Sequence, residues 1–187
     1  MTSGHLLIIA CGAGPAADLD RLIAVAHRHS WTTAVAATAA ALHFIDTTAL
    51  ERLTGSRVRS DFRWSEPQQG GRALPPVDAL IIAPTTANTV AKLSLGIADT
   101  YALTLAAEMI GRGVPTVVVP FANSAFASRE PFARAVASLR GEGVHVMSGR
   151  SAGWEPHAPG TGPEAQTAFP WEAAFLAASA MAERRLP

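Results

Sequence analysis

The sequence predicts an α/β fold: a single domain built as a three-layer, doubly wound parallel sheet. Three observations carry that reading. Short apolar runs alternate with helical patterns along the chain, at the spacing that strand–helix–strand units produce. The runs are near-continuous in Val, Ile, Leu and Ala, as strands buried on both faces are. The 187 residues, 49% of them hydrophobic, suit one domain around one core.

Taken in order, Leu6 to Cys11 reads as the first buried strand and Pro15 to His29 as the helix after it. Pro15 suits the first turn of a helix, where a missing N–H is no loss. Thr32 to Ala37 reads as a second strand, and Ala39 to Ile45 and Ala49 to Leu53 as short helices. Ser60 to Pro76 contains Pro67, Gly70, Gly71, Pro75 and Pro76 and reads as a long loop. Asp78 to Ala83 is a third strand, with helices at Ala87 to Leu95 and Tyr101 to Ile110. Thr116 to Val119 is a β-branched fourth strand. Pro131 to Arg140 is helical, and Val144 to Met147 is a last short strand. Residues 148–170 are rich in Gly and Pro, so an ordered flap or a mobile loop is expected there. Trp171 to Arg184 closes the chain as a helix. No repeat and no linker divides residues 1–187. This element order is Rossmann-like or flavodoxin-like, and such sheets bind ligands outside the carboxyl ends of their strands. The segments of interest therefore follow Cys11, Ala37, Ala83 and Val119.

Composition narrows the function classes. Charged residues make up 16% and the formal net charge is zero, so no nucleic-acid partner is expected. No apolar run is long enough to span a bilayer and the first residues lack a signal-peptide pattern, so no membrane partner is expected and a cytoplasmic location is. Cys11 is the one cysteine, which excludes an internal disulfide; ending an apolar run, it reads as a buried small hydrophobe. The histidines show no zinc spacing, and His27 and His29 point to different, solvated helix faces, so no metal is expected.

Gly12-Ala13-Gly14-Pro15-Ala16-Ala17 follows the first strand. Small residues let a backbone approach a ligand, and a helix start offers free N–H groups to a phosphate. The spacing matches G-x-G-x-x-A, yet a dinucleotide site also wants an acidic residue after the second strand. Ala36, Ala37 and Thr38 stand there instead. A tight turn without ligand fits this loop equally well. Thr38, with Phe44 six residues on, can cap the next helix or bond a phosphate. The third segment runs Ala83-Pro84-Thr85-Thr86-Ala87-Asn88-Thr89-Val90-Ala91-Lys92, then Gly96-Ile97-Ala98-Asp99. It gathers hydroxyls and an amide at a strand mouth and helix start, a donor and acceptor set for a polar ring edge or a phosphate.

These residues resemble a family, the homo-oligomeric flavin-containing cysteine decarboxylases, which act on phosphopantothenoylcysteine or on C-terminal cysteines of lantibiotic-type peptides. That family carries Pro-Ala-Ser-Ala-Asn-Thr, then Lys and Gly-Ile-x-Asp-Asn. Pro84, Ala87, Asn88, Thr89, Lys92, Gly96, Ile97 and Asp99 match it, Thr86 keeps a hydroxyl, and Thr100 replaces Asn. Gly12 to Ala16 resembles the family's Gly-Ser-Ile-Ala-Ala, and Thr38 and Phe44 fall at its Thr and Phe positions. The likeness runs from about Leu6 to Met147. It implies bound FMN, held by Gly12, Ala13, Gly14, Thr38, Phe44, Thr85, Thr86, Ala87, Asn88, Thr89 and Ala125. It also implies a homo-oligomer, a trimer or a multiple of one, and a small-molecule or peptide substrate bearing a carboxylate.

The family's Pro-x-Met-Asn-x-x-Met-Trp reads here Pro120-Phe121-Ala122-Asn123-Ser124-Ala125-Phe126-Ala127. Asn123 survives and is the implied substrate contact; a loop amide capping the next turn is its plainer reading. The family's catalytic His stands eight residues before the Asp that opens the next strand. Counting back from Asp78 reaches Gly70, and no His lies between His43 and His145. The flap cysteine of one branch is also missing; Trp154, Glu155 and His157 stand in this flap, with no role assigned. In the family reaction the cysteine thiol side is oxidised by FMN, and loss of carbon dioxide then gives an aminoenethiol. The expectation here is an FMN-dependent oxidative decarboxylase, or a related lyase or oxidoreductase, with an altered substrate. A non-catalytic flavin-binding partner subunit and a NAD- or nucleotide-binding protein are the alternatives.

Overall fold

The computed structural model of the protein describes residues 4–62 and 75–185. Its sheet contains β1 (Gly4–Ala10), β2 (Trp31–Ala37), β3 (Ala79–Thr85), β4 (Thr116–Pro120) and β5 (His145–Val146), in the spatial order β2-β1-β3-β4-β5. Every pairing is parallel; Ile8 of β1, for example, lies between Val35 and Ile81. The helices are α1 (Leu19–Arg28), α2 (Thr47–Thr54), α3 (Ala87–Ser94), α4 (Tyr101–Gly111), α5 (Ser124–Ala127), α6 (Glu130–Gly141), α7 (Gly162–Thr167) and α8 (Trp171–Glu183).

Strand side chains alternate between faces, so one apolar strand feeds two cores. Leu6, Ile8 and Ala10 pack with Leu22 of α1, Leu50 of α2 and Phe175 of α8. Leu7, Ile9 and Cys11 pack with Val90 of α3, Leu103 of α4 and Leu139 of α6. Each fully buried Leu or Ile contributes roughly 1.5–3 kcal/mol relative to exposure. The result is the three-layer α/β arrangement the alternation of elements predicts, with helices on both faces of a doubly wound sheet. On α8, Trp171, Ala174, Phe175, Ala178 and Ala182 form the buried stripe, and Phe175 meets Trp31 edge-on at 5.7 Å.

Several boundaries differ from the sequence expectation. Gly14–Asp18 winds as a 3₁₀ turn before α1 begins, so the helix read from Pro15 is two elements. Ala41–His43 is likewise a single 3₁₀ turn. β3 continues through Pro84 to Thr85, with its register to β4 shifting between Ile82 and Thr85. β5 is two residues long. Arg59, at the end of the chain after α2, returns to the free edge of β2: its N–H donates to Val35 and its carbonyl accepts from Ala37. Most of the loop read at Ser60 to Pro76, Gly70 included, lies outside the described residues. Among the described residues no helix is long and apolar enough to cross a membrane.

Candidate functional site

The carboxyl ends of the strands are tied to one another by backbone hydrogen bonds, which brings the loops after them to one edge. Cys11 N–H donates to the Pro84 carbonyl at 3.0 Å, Thr38 N–H to Ala10 at 3.0 Å and Phe121 N–H to Thr85 at 2.8 Å. None of the segments 11–17, 38–44, 84–89 and 120–127 contains Asp or Glu. This edge is a neutral, donor-rich surface.

In the first loop close approach requires Gly12, whereas at Gly14 the near neighbour is the movable end of a side chain. A Cβ on Gly12 would stand 2.6 Å from the Ala40 Cβ, and one on Gly14 would stand 2.6 Å from the Gln166 Oε1. Ala13 follows in extended conformation and the 3₁₀ turn starts at Gly14. In the second loop the Thr38 hydroxyl accepts from Ala41 N–H at 3.3 Å, a turn cap, while Phe44 is exposed.

The third loop distributes its four polar residues among different tasks. Thr85 is fully buried and its hydroxyl donates to the Ile82 carbonyl. Thr86 is the N-cap of α3, its Oγ1 accepting from Thr89 N–H at 3.2 Å and lying 3.1 Å from the Thr89 hydroxyl. Thr89 is buried beneath that cap, and Ala87 is half-buried. Asn88 alone is exposed, on the first turn of α3, and its amide makes no hydrogen bond among the described residues. The N–H groups of a first helical turn have no partner within the helix, so Asn88 adds donors and an acceptor to a start already rich in donors. Lys92 pairs with Asp99 across the turn after α3. Burial pushes the Cys11 thiol pKa up, against smaller opposing effects of Thr89 and Thr86, so this cysteine is held as the thiol and is no nucleophile.

At the end of β4, Asn123 caps α5, its Oδ1 accepting from Phe126 N–H at 3.0 Å; Ala125 is exposed on that short helix. The flap, residues 148–170, folds back over this point as ordered structure. Asn123 and His157 form a parallel bridge, and Ser124 N–H donates to the His157 carbonyl at 2.7 Å. Trp154 donates from Nε1 to the Pro120 carbonyl at 2.8 Å. Phe121 carries the His157 ring at 4.9 Å, and Trp154 and Phe169 meet edge to face at 5.2 Å. Gln166 donates from Nε2 to Asp18 at 2.9 Å, latching α7 over the first loop.

The structure thus places Gly12, Ala13, Gly14, Thr38, Thr86, Ala87, Asn88 and Asn123 along one edge. Phe44 and Ala125 are exposed at its two ends, and the side chains of Thr85 and Thr89 turn into the protein. Sequence reasoning did not single out Gln166 or Phe169. The available signal was an aromatic residue in a Gly- and Pro-rich stretch, which needs a partner to bury it.

Three kinds of known protein resemble this chain. The family model described as Flavoprotein matches residues 1–168. Among solved structures, the FMN-dependent cysteine decarboxylase SpaF is 28% identical, with TM-score 0.64 over 92% of this chain and 99% of that one. TvaF, an FMN-dependent cysteine decarboxylase from thioviridamide biosynthesis, is 25% identical, with TM-score 0.71 over 97% of this chain and 99% of its own. The cypemycin decarboxylase CypD, at 22% identity and TM-score 0.73 over 97% of this chain and 95% of that one, shares the fold. A curated relative, the dihydromethanopterin reductase (acceptor) of Methanosarcina mazei, is 41% identical over 56 residues, 30% of this chain and 23% of that protein.

Proposed function

The chain belongs to the Flavoprotein family, and from that premise we propose that it is an FMN-binding, decarboxylase-like enzyme acting on a carboxylate-bearing small molecule or peptide. The observation that carries this reading is the family match over residues 1–168, joined to chain-long likeness to two FMN-dependent cysteine decarboxylases. The donor set fits the cofactor. A flavin has polar ring edges and an anionic phosphate, and the loops at this edge offer helix-start N–H groups, hydroxyls and a free amide with no carboxylate among them. We assign the phosphate and ribityl contacts to Gly12, Ala13, Gly14 and Thr38, with Phe44 and Ala125 bordering the site. The α3 start, Thr85 to Thr89, is assigned to the ring through Thr86 and the Asn88 amide.

When bound, FMN supplies a two-electron acceptor; the chain's own residues orient the substrate and handle its protons. Asn123 is the substrate contact in this reading. Its Nδ2 donors make no hydrogen bond among the described residues, which leaves them for a carboxylate while Oδ1 holds the α5 cap. Ala122, Phe126 and Ala127 stand where the resembled family has Met, Met and Trp, so the pocket beside Asn123 is reshaped toward a different, more aliphatic substrate. A homo-oligomer, trimeric or a multiple of it, belongs to the proposal.

Protein purified without added cofactor is expected to be yellow and to release a molecule of the mass of FMN on acid treatment; a colourless protein that takes up no FMN would refute the reading. Anaerobic mixing with phosphopantothenoylcysteine or with simple cysteine-ending peptides is expected to give turnover far below the usual enzymatic range of about 1–10³ per second. A second reading, oxidoreductase chemistry without loss of carbon dioxide, rests on the local identity to the methanopterin reductase. Flavin bleaching with no accompanying mass loss of carbon dioxide would favour it.

A further inference from the structure

The flap contains a histidine whose setting suits chemistry, and no part of the cofactor site uses it. We propose that His157 is a catalytic residue of the site, accepting the proton of a substrate thiol beside Asn123; this rests on the FMN-dependent reading above. All six histidines lie among the described residues. His5 stands second in β1 and His145 opens β5, both at the opposite end of the sheet, and His27 and His29 stand in the last turn of α1 and just after it. Only His43 and His157 stand at the carboxyl edge. His43 is exposed beyond β2, the outermost strand, whereas His157 is bridged to Asn123 at the mouth of β4.

Three constraints hold the His157 ring. Its backbone is fixed by the bridge to Asn123 and by the 2.7 Å bond from Ser124 N–H, and partners in a parallel bridge present their side chains on the same side. Its ring packs on Phe121 at 4.9 Å, and the Phe121 Cε1 lies 3.8 Å from where a Cβ on Gly14 would stand. His157 therefore sits at the end of β4, against the ring that also faces the first loop. Its Nδ1 lies 2.9 Å from the Ala158 carbonyl. A carbonyl only accepts, so Nδ1 holds the hydrogen and Nε2 keeps its lone pair. That Nε2 has no partner among the described residues, and the ring is half-buried. A positioned, partner-free imidazole nitrogen on a residue bridged to the proposed substrate contact, Asn123, is the arrangement a general base needs.

The step is a proton transfer. The substrate S–H bond breaks, the electron pair stays on sulfur, and Nε2–H forms, leaving an imidazolium beside a thiolate. The imidazolium later returns the same proton to the product sulfur and the ring ends neutral. A neighbouring imidazolium lowers a thiol pKa from about 8.5 into the range of about 3.5–7.5, so the pair is favourable near neutrality.

The test uses the FMN-loaded protein and a short cysteine-ending peptide, which has a carboxylate and a thiol of ordinary pKa, about 8.5. A thiolate against oxidised flavin absorbs at long wavelength, a readout independent of turnover. The wild type is expected to develop that absorption at pH 7. In His157→Phe, which keeps the packing on Phe121, and in His157→Gln, it should fall about tenfold, since a free thiol is only a few per cent ionised at that pH. It should return when the pH is raised above 9, with FMN affinity unchanged throughout. Equal absorption at pH 7 in the wild type and either FMN-retaining variant would overturn the proposal, as would its absence from the wild type at saturating thiol. A protein that binds no FMN would remove the cofactor reading and the proposal together, which separates the two failures.

Discussion

Asn88 and Thr86 are two positions apart and both are flavin contacts in the proposed site, yet their settings differ. The Thr86 hydroxyl is engaged in capping α3, while the Asn88 amide is exposed and unpaired among the described residues. Asn88→Ala should therefore leave the fold intact and remove a cofactor partner, weakening FMN by about 1–3 kcal/mol, roughly 5- to 150-fold. Equilibrium titration of apoprotein with FMN checks this, with thermal stability as the control. Thr86 would confound the same experiment, since losing an N-cap costs about 1 kcal/mol of stability by itself. His5 gives a prediction of another kind. Burial lowers its pKa from the ordinary 6.5, with Asp78 opposing in part. Between the lowered value and 6.5 the unfolded chain binds the extra proton and the folded chain does not. Stability from this group is thus present above about pH 6.5 and is lost as pH falls below it. The urea midpoint should drop between pH 7.5 and 5.5, and His5→Gln should drop less.

At the scale of elements, legibility followed the density of apolar residues. β1 and β3 were plain because Leu6 to Cys11 and Ala79 to Ala83 are unbroken apolar runs with helices to cover both faces. The extension of β3 through Pro84 was not legible, since proline signals an end to a ladder, and here the strand passes it where the register to β4 shifts. α5 and α7 were missed because four and six residues hold too little periodicity to read. That the segments after β1, β2, β3 and β4 share one edge followed from strand order. The flap's seat did not, because Trp154, His157 and Gln166 are held by contacts 33 to 148 residues away along the chain, which local patterning does not encode. Those contacts make a prediction about the element. Trp154→Phe keeps a ring beside Phe121 and deletes the bond to the Pro120 carbonyl. It should cost about 0.5–1.5 kcal/mol locally. Hydrogen exchange should speed up across residues 148–170 while β1 and β3 keep their protection; uniform acceleration would instead point to global loss of stability.

At the scale of the whole molecule, the charge balance and the surface point to self-association. Only 16% of residues are charged and the net charge is zero, which leaves little repulsion between copies. Leu95 is 74% exposed and Phe126 53%, with Ile97 and Phe44 also open to solvent. Phe126 stands on α5 and Phe44 ends the turn after β2, so these two border the carboxyl edge where the proposed cofactor segments lie, while Leu95 and Ile97 follow the far end of α3. Fully burying an exposed Leu or Phe side chain contributes about 1.5–3 kcal/mol, and these part-covered residues contribute a fraction of that each, which several together add up. The prediction is a homo-oligomer at micromolar concentration, with light scattering giving three times the 19.5 kDa chain mass or a multiple of that. Leu95→Glu combined with Phe126→Glu should shift the population toward monomer. Because Phe126 stands beside the proposed site, FMN affinity should fall with the oligomer even though neither substitution removes a proposed flavin donor. Wild-type protein that scatters only as monomer would exclude the assembly. Dissociation with full retention of FMN affinity would show that each subunit holds its cofactor alone.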